Sequence, residues 1–205
     1  MYLSRVQIDD HNQFVMRELN HLGAYHNWVE QSFPDEIANS VRLRHLWRID
    51  TLNHKKYLLL LSQNRPDLDK LEQLGVAGTA QTKSYDEFLE KIEQGKKYRF
   101  RLTGNPTHKD SKTGRIMPHI TVGAQRKWFE RKAELSGFKI LNFDVVSRNW
   151  LRLKKKKSRL ELSSVTFEGI LEVEDLEQFK QALVKGIGRE KAYGMGLLTV
   201  IPIEK

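Results

Sequence analysis

Seven histidines are the side chains of this sequence best suited to acid–base chemistry near neutral pH. No two of them have the His-Glu-x-x-His spacing of a zinc enzyme, and the chain contains no cysteine. We also find no paired carboxylates spaced to position two magnesium ions. The sequence therefore predicts no metal site and no cofactor, and a general acid or base remains as the candidate chemistry. The candidates are His11, His21, His26, His45, His54, His108 and His119.

The position of His26 allows two interpretations. It lies in NHLGAYHNWVEQSF (residues 20–33), within a helical region predicted over 11–33. In one unbroken helix it would share the apolar stripe that includes Val29 and would be a core histidine. Asn20 and Gly23 can interrupt that helix, which would leave His26 near the start of a second helical piece. From residue types alone, the core interpretation is favoured.

A glycine-rich stretch, KGIGREKAYGMGLL, occupies residues 185–198. It lacks the third glycine of a dinucleotide-binding motif and the Gly-Lys-Ser/Thr of a P-loop. It also precedes a predicted strand, so it reads as a connection from a helix to a strand. Its backbone N–H groups and the cations Arg189 and Lys191 could press against a phosphodiester chain. Gly186 is explained without a ligand, as the glycine that ends a helix.

A second basic feature is NWLRLKKKKSRLEL, residues 149–162. The lysine run predicts the tip of a β-hairpin, with Arg148 and Arg159 on its arms. Such a ribbon can lie in a groove of structured nucleic acid and hold it through its phosphates. The alternative is a solvated hairpin whose lysines protect an edge strand from aggregation.

The charge distribution favours a polyanionic partner. Residues 1–100 carry 14 basic and 14 acidic side chains, whereas residues 99–159 carry 17 basic and 4 acidic ones, within a net charge of +9. One sign concentrated in one segment is typical of nucleic-acid binding, although it can also serve solubility. The longest apolar run, near residues 57–61, is far too short to span a membrane. With no cysteine and no secretory signal, we expect a soluble cytoplasmic protein.

Both halves of the chain suggest a β-α-β-β-α-β unit, so the predicted fold class is α+β with two ferredoxin-like (RRM-like) domains in tandem. We place the domains at 1–105 and 106–205, because residues 105–122 are rich in glycine, proline and charge. The strand at 97–104 could belong to either half. Strands are predicted at 2–8, 41–50, 55–63, 97–106, 138–147, 149–162, 163–174 and 197–203, and helices at 11–33, 67–75, 84–95, 123–137 and 175–186.

Four segments together resemble the CasE family of CRISPR repeat-RNA endoribonucleases of type I-E systems. They are MYLSRV at the start, YRFRLTGNP (98–106), SVTFEGILEV (164–173) and GIGREKAYGMGLLTV (186–200). The resemblance implies two ferredoxin-like domains facing a cleft. It implies metal-independent cleavage of precursor CRISPR RNA at the base of each repeat stem-loop, by attack of a 2′-hydroxyl that leaves a 2′,3′-cyclic phosphate. It also implies that the enzyme retains the processed RNA as a subunit of Cascade, with CRISPR repeat RNA and other Cascade subunits as partners.

The resemblance changes the interpretation of His26. The family has a histidine in its first helical region ahead of a Phe-Pro, as His26 precedes Phe33–Pro34, so His26 is the implied catalytic residue. Family members commonly have a tyrosine three residues earlier, where this chain has Gly23. Tyr25 is the nearest substitute, although adjacent helical residues point about 100° apart.

No cation lies within one helical turn of His26 in the sequence. We therefore expect charge on the pentavalent phosphorane to be stabilised by the basic hairpin and the glycine-rich loop. The alternative function is a non-catalytic RNA-binding subunit of a CRISPR ribonucleoprotein, and a third is a general nucleic-acid chaperone. The predicted RNA-binding residues are Arg148, Arg152, Lys154, Lys155, Lys156, Lys157, Arg159, Gly186, Gly188, Arg189, Lys191, Gly194 and Gly196.

Overall fold

The computed structural model describes the backbone of residues 1–155 and 158–203, and the side chains of residues 1–151 and 161–203. The chain forms two compact units. The first contains residues 1–91 and 191–194, and the second contains residues 92–190 and 195–205. Each unit has one four-stranded antiparallel sheet.

The first unit has the ferredoxin-like strand order. Its sheet runs β2-β3-β1-β4, and the central strand β1 is antiparallel to both of its neighbours. β2 and β3 form a hairpin, in which Asn53 and His54 both have positive φ, as a two-residue turn requires. The elements are β1 (Tyr2–Gln7), α1 (Gln13–Glu18), α2 (Leu22–Gln31), α3 (Pro34–Ala38), β2 (Leu46–Leu52), β3 (Lys55–Ser62), α4 (Leu68–Glu72), β4 (Gln81–Ser84) and α5 (Asp86–Glu90).

One buried apolar cluster joins the sheet of the first unit to its helices. The sheet contributes alternate residues of its strands, because successive side chains of a strand point to opposite faces. α1 and α2 contribute the apolar stripe predicted from the sequence. The members are Val6, Ile8, Val15, Leu19, Trp28, Val29, Phe33, Trp47, Leu58, Leu60 and Leu71.

The second unit repeats the same order. Its sheet runs β10-β5-β9-β8, and a two-stranded sheet of β6 and β7 lies apart from it. α7 is capped at its start by Asp175, whose carboxylate accepts a hydrogen bond from the Gln178 N–H (2.9 Å). The elements are β5 (Lys97–Gly104), β6 (Thr107–Lys109), β7 (Ile116–Pro118), α6 (Val122–Glu134), β8 (Phe138–Lys155), β9 (Ser158–Val173), α7 (Leu176–Lys185) and β10 (Leu198–Pro202). The predicted fold class, α+β with tandem ferredoxin-like units, is confirmed.

β8 and β9 form one long hairpin that continues past the end of the sheet. β5 pairs with β9 only as far as Gly104 opposite Val165, whereas β8 and β9 remain paired to Lys155 opposite Ser158. This register agrees with the predicted basic ribbon. Lys156 and Lys157 lie outside the described residues, and so do the side chains of Arg152, Lys154, Lys155 and Arg159.

The division between the units lies one strand earlier than the boundary predicted at residue 105. The strand at 97–104 is β5, the first strand of the second sheet, and the fourth strand of the first sheet is β4. β4 reads QTKS and has no apolar alternation, because an edge strand with little burial needs none. The strand at 97–104, which the sequence left open between the two halves, thus lies in the second sheet.

Two other predicted elements are shorter in the structure. The strand predicted at 41–50 begins at Leu46, which pairs with Leu61 near the end of β3, so residues 41–45 have no strand to pair with. The helix predicted at 84–95 is reduced to α5. Within the described residues, no helix has the length and apolar character needed to cross a membrane.

Candidate active site

The helix that carries His26 is interrupted, as the sequence allowed. α1 ends at Glu18 and α2 begins at Leu22, so His26 lies in the second turn of a separate helix. His21 caps that helix, since its Nδ1 accepts a hydrogen bond from the Ala24 N–H (3.1 Å). The His26 side chain is 41% exposed. The core interpretation is therefore wrong, and the His26 ring is accessible to solvent.

His26 lines a cavity of about 600 Å³ in the first unit. α2 supplies one wall, and the remainder comes from α3 and from the irregular segment that leads into β2. Histidine, carboxylate and guanidinium groups share this cavity, which is a composition suited to proton transfer beside an anion. The lining residues are Gly23, His26, Asn27, Glu30, Gln31, Glu36, Ile37, Ser40, Val41, Arg42 and His45.

Glu30 connects two of these histidines. Glu30 lies one turn after His26 on α2. The Glu30 Oε1 atom lies 3.9 Å from His26 Nδ1 and 2.9 Å from His45 Nδ1. The His45 side chain is 2% exposed, and its Nε2 lies 3.2 Å from Oε2 of the buried Glu36. That second contact has ion-pair distance without hydrogen-bond alignment. His26, Glu30, His45 and Glu36 thus form a chain along the cavity wall, in which each side chain lies within 4 Å of the next.

The charge on Glu30 is stabilised by its neighbours. The hydrogen bond from His45 is the main cause that lowers the pKa of Glu30, and the nearby His45, His26 and Arg42 lower it further. Partial burial acts in the opposite direction and is outweighed. Glu30 is therefore a carboxylate at neutral pH and places a negative charge beside the His26 ring.

Tyr25 does not line this cavity. Its ring stacks on Trp47, with centroids 6.0 Å apart, and contacts Trp28 at 6.5 Å. Burial, and secondarily the charge of Asp10, raises the pKa of Tyr25. The structure does not bring Tyr25 and His26 together in the cavity, which argues against Tyr25 as a replacement for the family tyrosine.

The glycine-rich stretch has a structural explanation for all four of its glycines. Gly186, Gly188, Gly194 and Gly196 have φ angles of 72°, 85°, 76° and 90°, in the region that residues with a side chain rarely adopt. A Cβ on Gly194 would lie 2.7 Å from the Trp47 ring, and one on Gly188 would lie 3.2 Å from the Trp128 ring. From the sequence, Gly186 was the one glycine of the four with a structural explanation. Gly194 and Gly196 are buried, so the structure does not present them to an RNA strand.

Part of the same stretch belongs to the first unit. Residues 191–193 form a 3₁₀ turn that packs against α2 and β2, and the segment 191–194 is assigned to that unit. This segment, hereafter the 191–194 segment, brings Lys191 to the helix that carries His26. Arg189 is exposed, in the second unit.

Of the predicted hairpin cations, Arg148 has a described side chain. It is exposed, and its guanidinium donates a hydrogen bond to the Ile120 carbonyl of the loop before α6. Trp150, two residues further along β8, is also exposed. This part of the ribbon therefore presents a cation and an aromatic ring to solvent.

Glu30 and Arg42 were not predicted as members of the site, and His45 was predicted as one of seven candidate histidines but not as a neighbour of His26. Glu30 could have been found, because residues four apart on a helix are neighbours. Arg42 and His45 were assigned to a strand, which hid their proximity to α2. No group of three or more histidine, cysteine or acidic side chains in the part of the chain that the structure describes is arranged to hold a metal ion.

The family model for CRISPR associated proteins matches residues 1–202. The CRISPR-associated endoribonuclease Cse3 of Thermus thermophilus is 28% identical, over 98% of this chain and 100% of that protein. A solved structure of Thermus thermophilus Cse3, bound to an RNA representing a pre-cleavage complex, is 25% identical with a TM-score of 0.83 and 98% of each chain covered.

A chain of a CRISPR RNA-guided surveillance complex has the same fold, with a TM-score of 0.72 at 20% identity over 99% of this chain and 100% of that chain. Because the family model spans nearly the whole sequence, the chain belongs to the family of CRISPR associated proteins, and the resemblance to CasE (Cse3) is confirmed.

Proposed function

We propose that this protein is an endoribonuclease that cleaves precursor CRISPR RNA at the base of the repeat stem-loop without a metal ion, and that it retains the product as a subunit of Cascade. Its relative Cse3 is named as a CRISPR-associated endoribonuclease and has been captured with RNA. The observation that carries the proposal is the half-exposed His26 in a cavity with Glu30 and Arg42. We infer that it acts in the cytoplasm, because the proposed substrate is a transcript.

The proposed reaction uses the RNA as its own nucleophile. The 2′-hydroxyl loses its proton to water and its oxygen bonds to the adjacent phosphorus, while the bond from phosphorus to the 5′ oxygen breaks. His26 as an imidazolium protonates that departing oxygen, which gives a 2′,3′-cyclic phosphate and a 5′-hydroxyl. Because Nδ1 faces Glu30, Nε2 is the nitrogen left to contact the RNA. Arg42, which lines the same cavity, would offset charge on the phosphorane.

The basic ribbon is proposed to hold the stem of the repeat. A double-stranded RNA stem offers a protein mostly its shape and its phosphates, which suits a row of cations better than a base-reading pocket. Arg148, Arg152 and Arg159 with Lys154–Lys157 would make these contacts, and the exposed Arg189 would add another. We assign Gly186, Gly188, Gly194 and Gly196 an indirect part, that of shaping the loop that carries Arg189 and Lys191.

The decisive experiment is cleavage of labelled repeat RNA under single-turnover conditions in excess EDTA. We expect cleavage at the base of the stem at the same rate with and without EDTA. Loss of cleavage in EDTA that magnesium restores would contradict the metal-free route. A 2′-deoxy substitution at the scissile nucleotide provides the control, because it removes the attacking group.

One observation favours the second candidate, a non-catalytic RNA-binding subunit. Gly23 stands where the family commonly has a tyrosine, and it lines the His26 cavity without offering a hydroxyl. In the same assay this candidate predicts a gel shift with no cleavage at any metal concentration. A general chaperone would instead bind unrelated hairpins and DNA equally well.

Neutralising the arginines of the ribbon tests the RNA-binding proposal. We expect Arg148→Gln, Arg152→Gln and Arg159→Gln together to weaken binding by about ten- to a hundredfold at 0.1 M salt, because each cation releases condensed counterions. The slope of log affinity against log salt concentration should become shallower by roughly 3. Filter binding at several salt concentrations measures both.

The matched control removes the same charge from exposed cations of the first unit, with Arg17→Gln, Lys70→Gln and Lys91→Gln. If this triple variant changed the salt slope as much as the ribbon variant, the effect would be one of net charge and the assignment to the ribbon would fail.

A further inference from the structure

The side chain of His45 is held rigidly inside the first unit. Its ring stacks on Phe33 with centroids 3.9 Å apart and planes 6° from parallel, and only 2% of its side chain is exposed. Its Nδ1 lies 2.9 Å from Glu30 and its Nε2 lies 3.2 Å from Glu36. Glu36 is itself fixed, since its Oε1 accepts a hydrogen bond from Asn64 (2.9 Å). The ring position is thus determined from three sides.

A single carboxylate oxygen links this fixed ring to the candidate catalytic histidine. Glu30 Oε1 is the atom that contacts His45, and the same atom lies 3.9 Å from His26 Nδ1. Glu30 is on a helix surface and only partly buried, so without a partner its long side chain would sample several rotamers. The hydrogen bond with His45 removes that freedom and keeps the carboxylate beside His26.

We propose that His45 is a positioning residue that acts through Glu30 on His26, and that the His45–Glu30 pair favours the protonated, correctly oriented ring of His26. This inference rests on the proposed function of His26 and names two residues that the sequence analysis did not assign to the reaction. A carboxylate that orients an imidazole through one nitrogen leaves the other nitrogen directed at the substrate. In this proposal His45 does not contact the RNA, so it is not a catalytic residue.

Other charged groups near Glu30 must be considered in any pH experiment. Arg42 lies on the segment before β2 and stabilises the Glu30 carboxylate, as His26 and His45 do. Glu36 of α3 lies on the far side of the His45 ring. The elements that pack against α2 bring further charged residues, which are Asp35 and Glu36 on α3, Asp69, Lys70 and Glu72 on α4, and Lys191 in the 191–194 segment.

The test is a double-mutant cycle on His45→Gln and Glu30→Gln. Each single variant is expected to slow single-turnover cleavage by about tenfold at neutral pH, because the anion beside His26 is displaced or neutralised. The alkaline limb of the pH–rate profile, on which the His26 imidazolium loses its proton, should move to lower pH. Since His45 acts through Glu30, the double variant should be no slower than Glu30→Gln alone. Rate effects that multiply in the double variant would overturn the proposal.

A second measurement does not depend on cleavage. The ring protons of His26 are titrated by NMR in the RNA-free protein, for the wild type and for His45→Gln. We expect the His26 midpoint to move to lower pH in the variant. An unchanged midpoint in a folded variant would overturn the proposal, and this readout remains decisive even if the wild type does not cleave RNA.

Two controls separate positioning from stability. His11→Gln changes an exposed histidine, whose side chain is 97% accessible, and should leave the His26 titration and the pH–rate profile unchanged. If His45→Gln fails to fold, the His26 titration is measured in Glu30→Gln instead. This variant is expected to fold, because the Glu30 side chain is only partly buried. A lower melting temperature with an unmoved His26 titration would mean that these residues support the fold and nothing more.

Discussion

Replacing His26 by alanine is expected to lower the single-turnover rate of repeat cleavage by a factor of about 10² to 10⁴, the range that a positioned general acid or base contributes. RNA affinity should stay within about threefold of the wild type, because phosphate contacts dominate the binding energy. The half-exposed ring and its place beside the ionised Glu30 are the structural reasons for this expectation. Cleavage of labelled repeat RNA and a parallel gel shift measure the two quantities.

His11→Ala is the matched control for this experiment, because it removes an exposed histidine of the same unit outside the cavity. It should cleave as fast as the wild type. If His26→Ala retained more than about a tenth of the wild-type rate, another group would be moving the proton and the assignment of His26 would be abandoned.

Gly194→Ala is expected to lower the free energy of unfolding by roughly 2 to 5 kcal/mol. One part of that cost is the positive φ of 76°, which an L-residue adopts at about 1 to 2 kcal/mol. The other part is overpacking, because the new Cβ would lie 2.7 Å from the ring of Trp47, a buried residue with little room to move. Urea denaturation followed by circular dichroism measures the change.

Gly78→Ala measures the positive-φ part of that cost by itself, so the difference between the two variants gives the part due to Trp47. Gly78 has nearly the same φ, 73°, yet a Cβ there would meet nothing within 4 Å. We expect a loss of about 1 to 2 kcal/mol for this control. Equal losses for the two variants would show that the contact of the new Cβ with Trp47 adds nothing to the change in the free energy of unfolding.

The sheets were largely predictable because their signal is local. The strands of the first hairpin are rich in apolar residues and meet at a two-residue turn, and both properties can be read from neighbouring residues. β4 was missed for the opposite reason. It is polar and lies at the sheet edge, and its place there comes from pairing with β1, about eighty residues away in sequence.

The candidate site was predictable only in part. His26 was identified through the family resemblance, since its helical position alone favoured the core. The contact of His45 with Glu30 depends on the course of the chain through α3 and on the irregular segment that follows it, and no local pattern in the sequence encodes that path. The glycines show the same limit, because the two tryptophan rings that require Gly188 and Gly194 are distant in sequence.

The 191–194 segment has a consequence for dissecting the protein. A polypeptide that ended at Lys91 would include every strand of the first sheet, yet it would lack the backbone that covers the Trp47 ring. The bare indole would favour self-association of such a fragment. The two halves of this chain are therefore not interchangeable modules. An exchange of the first unit between relatives would have to include residues 191–194 together with residues 1–91.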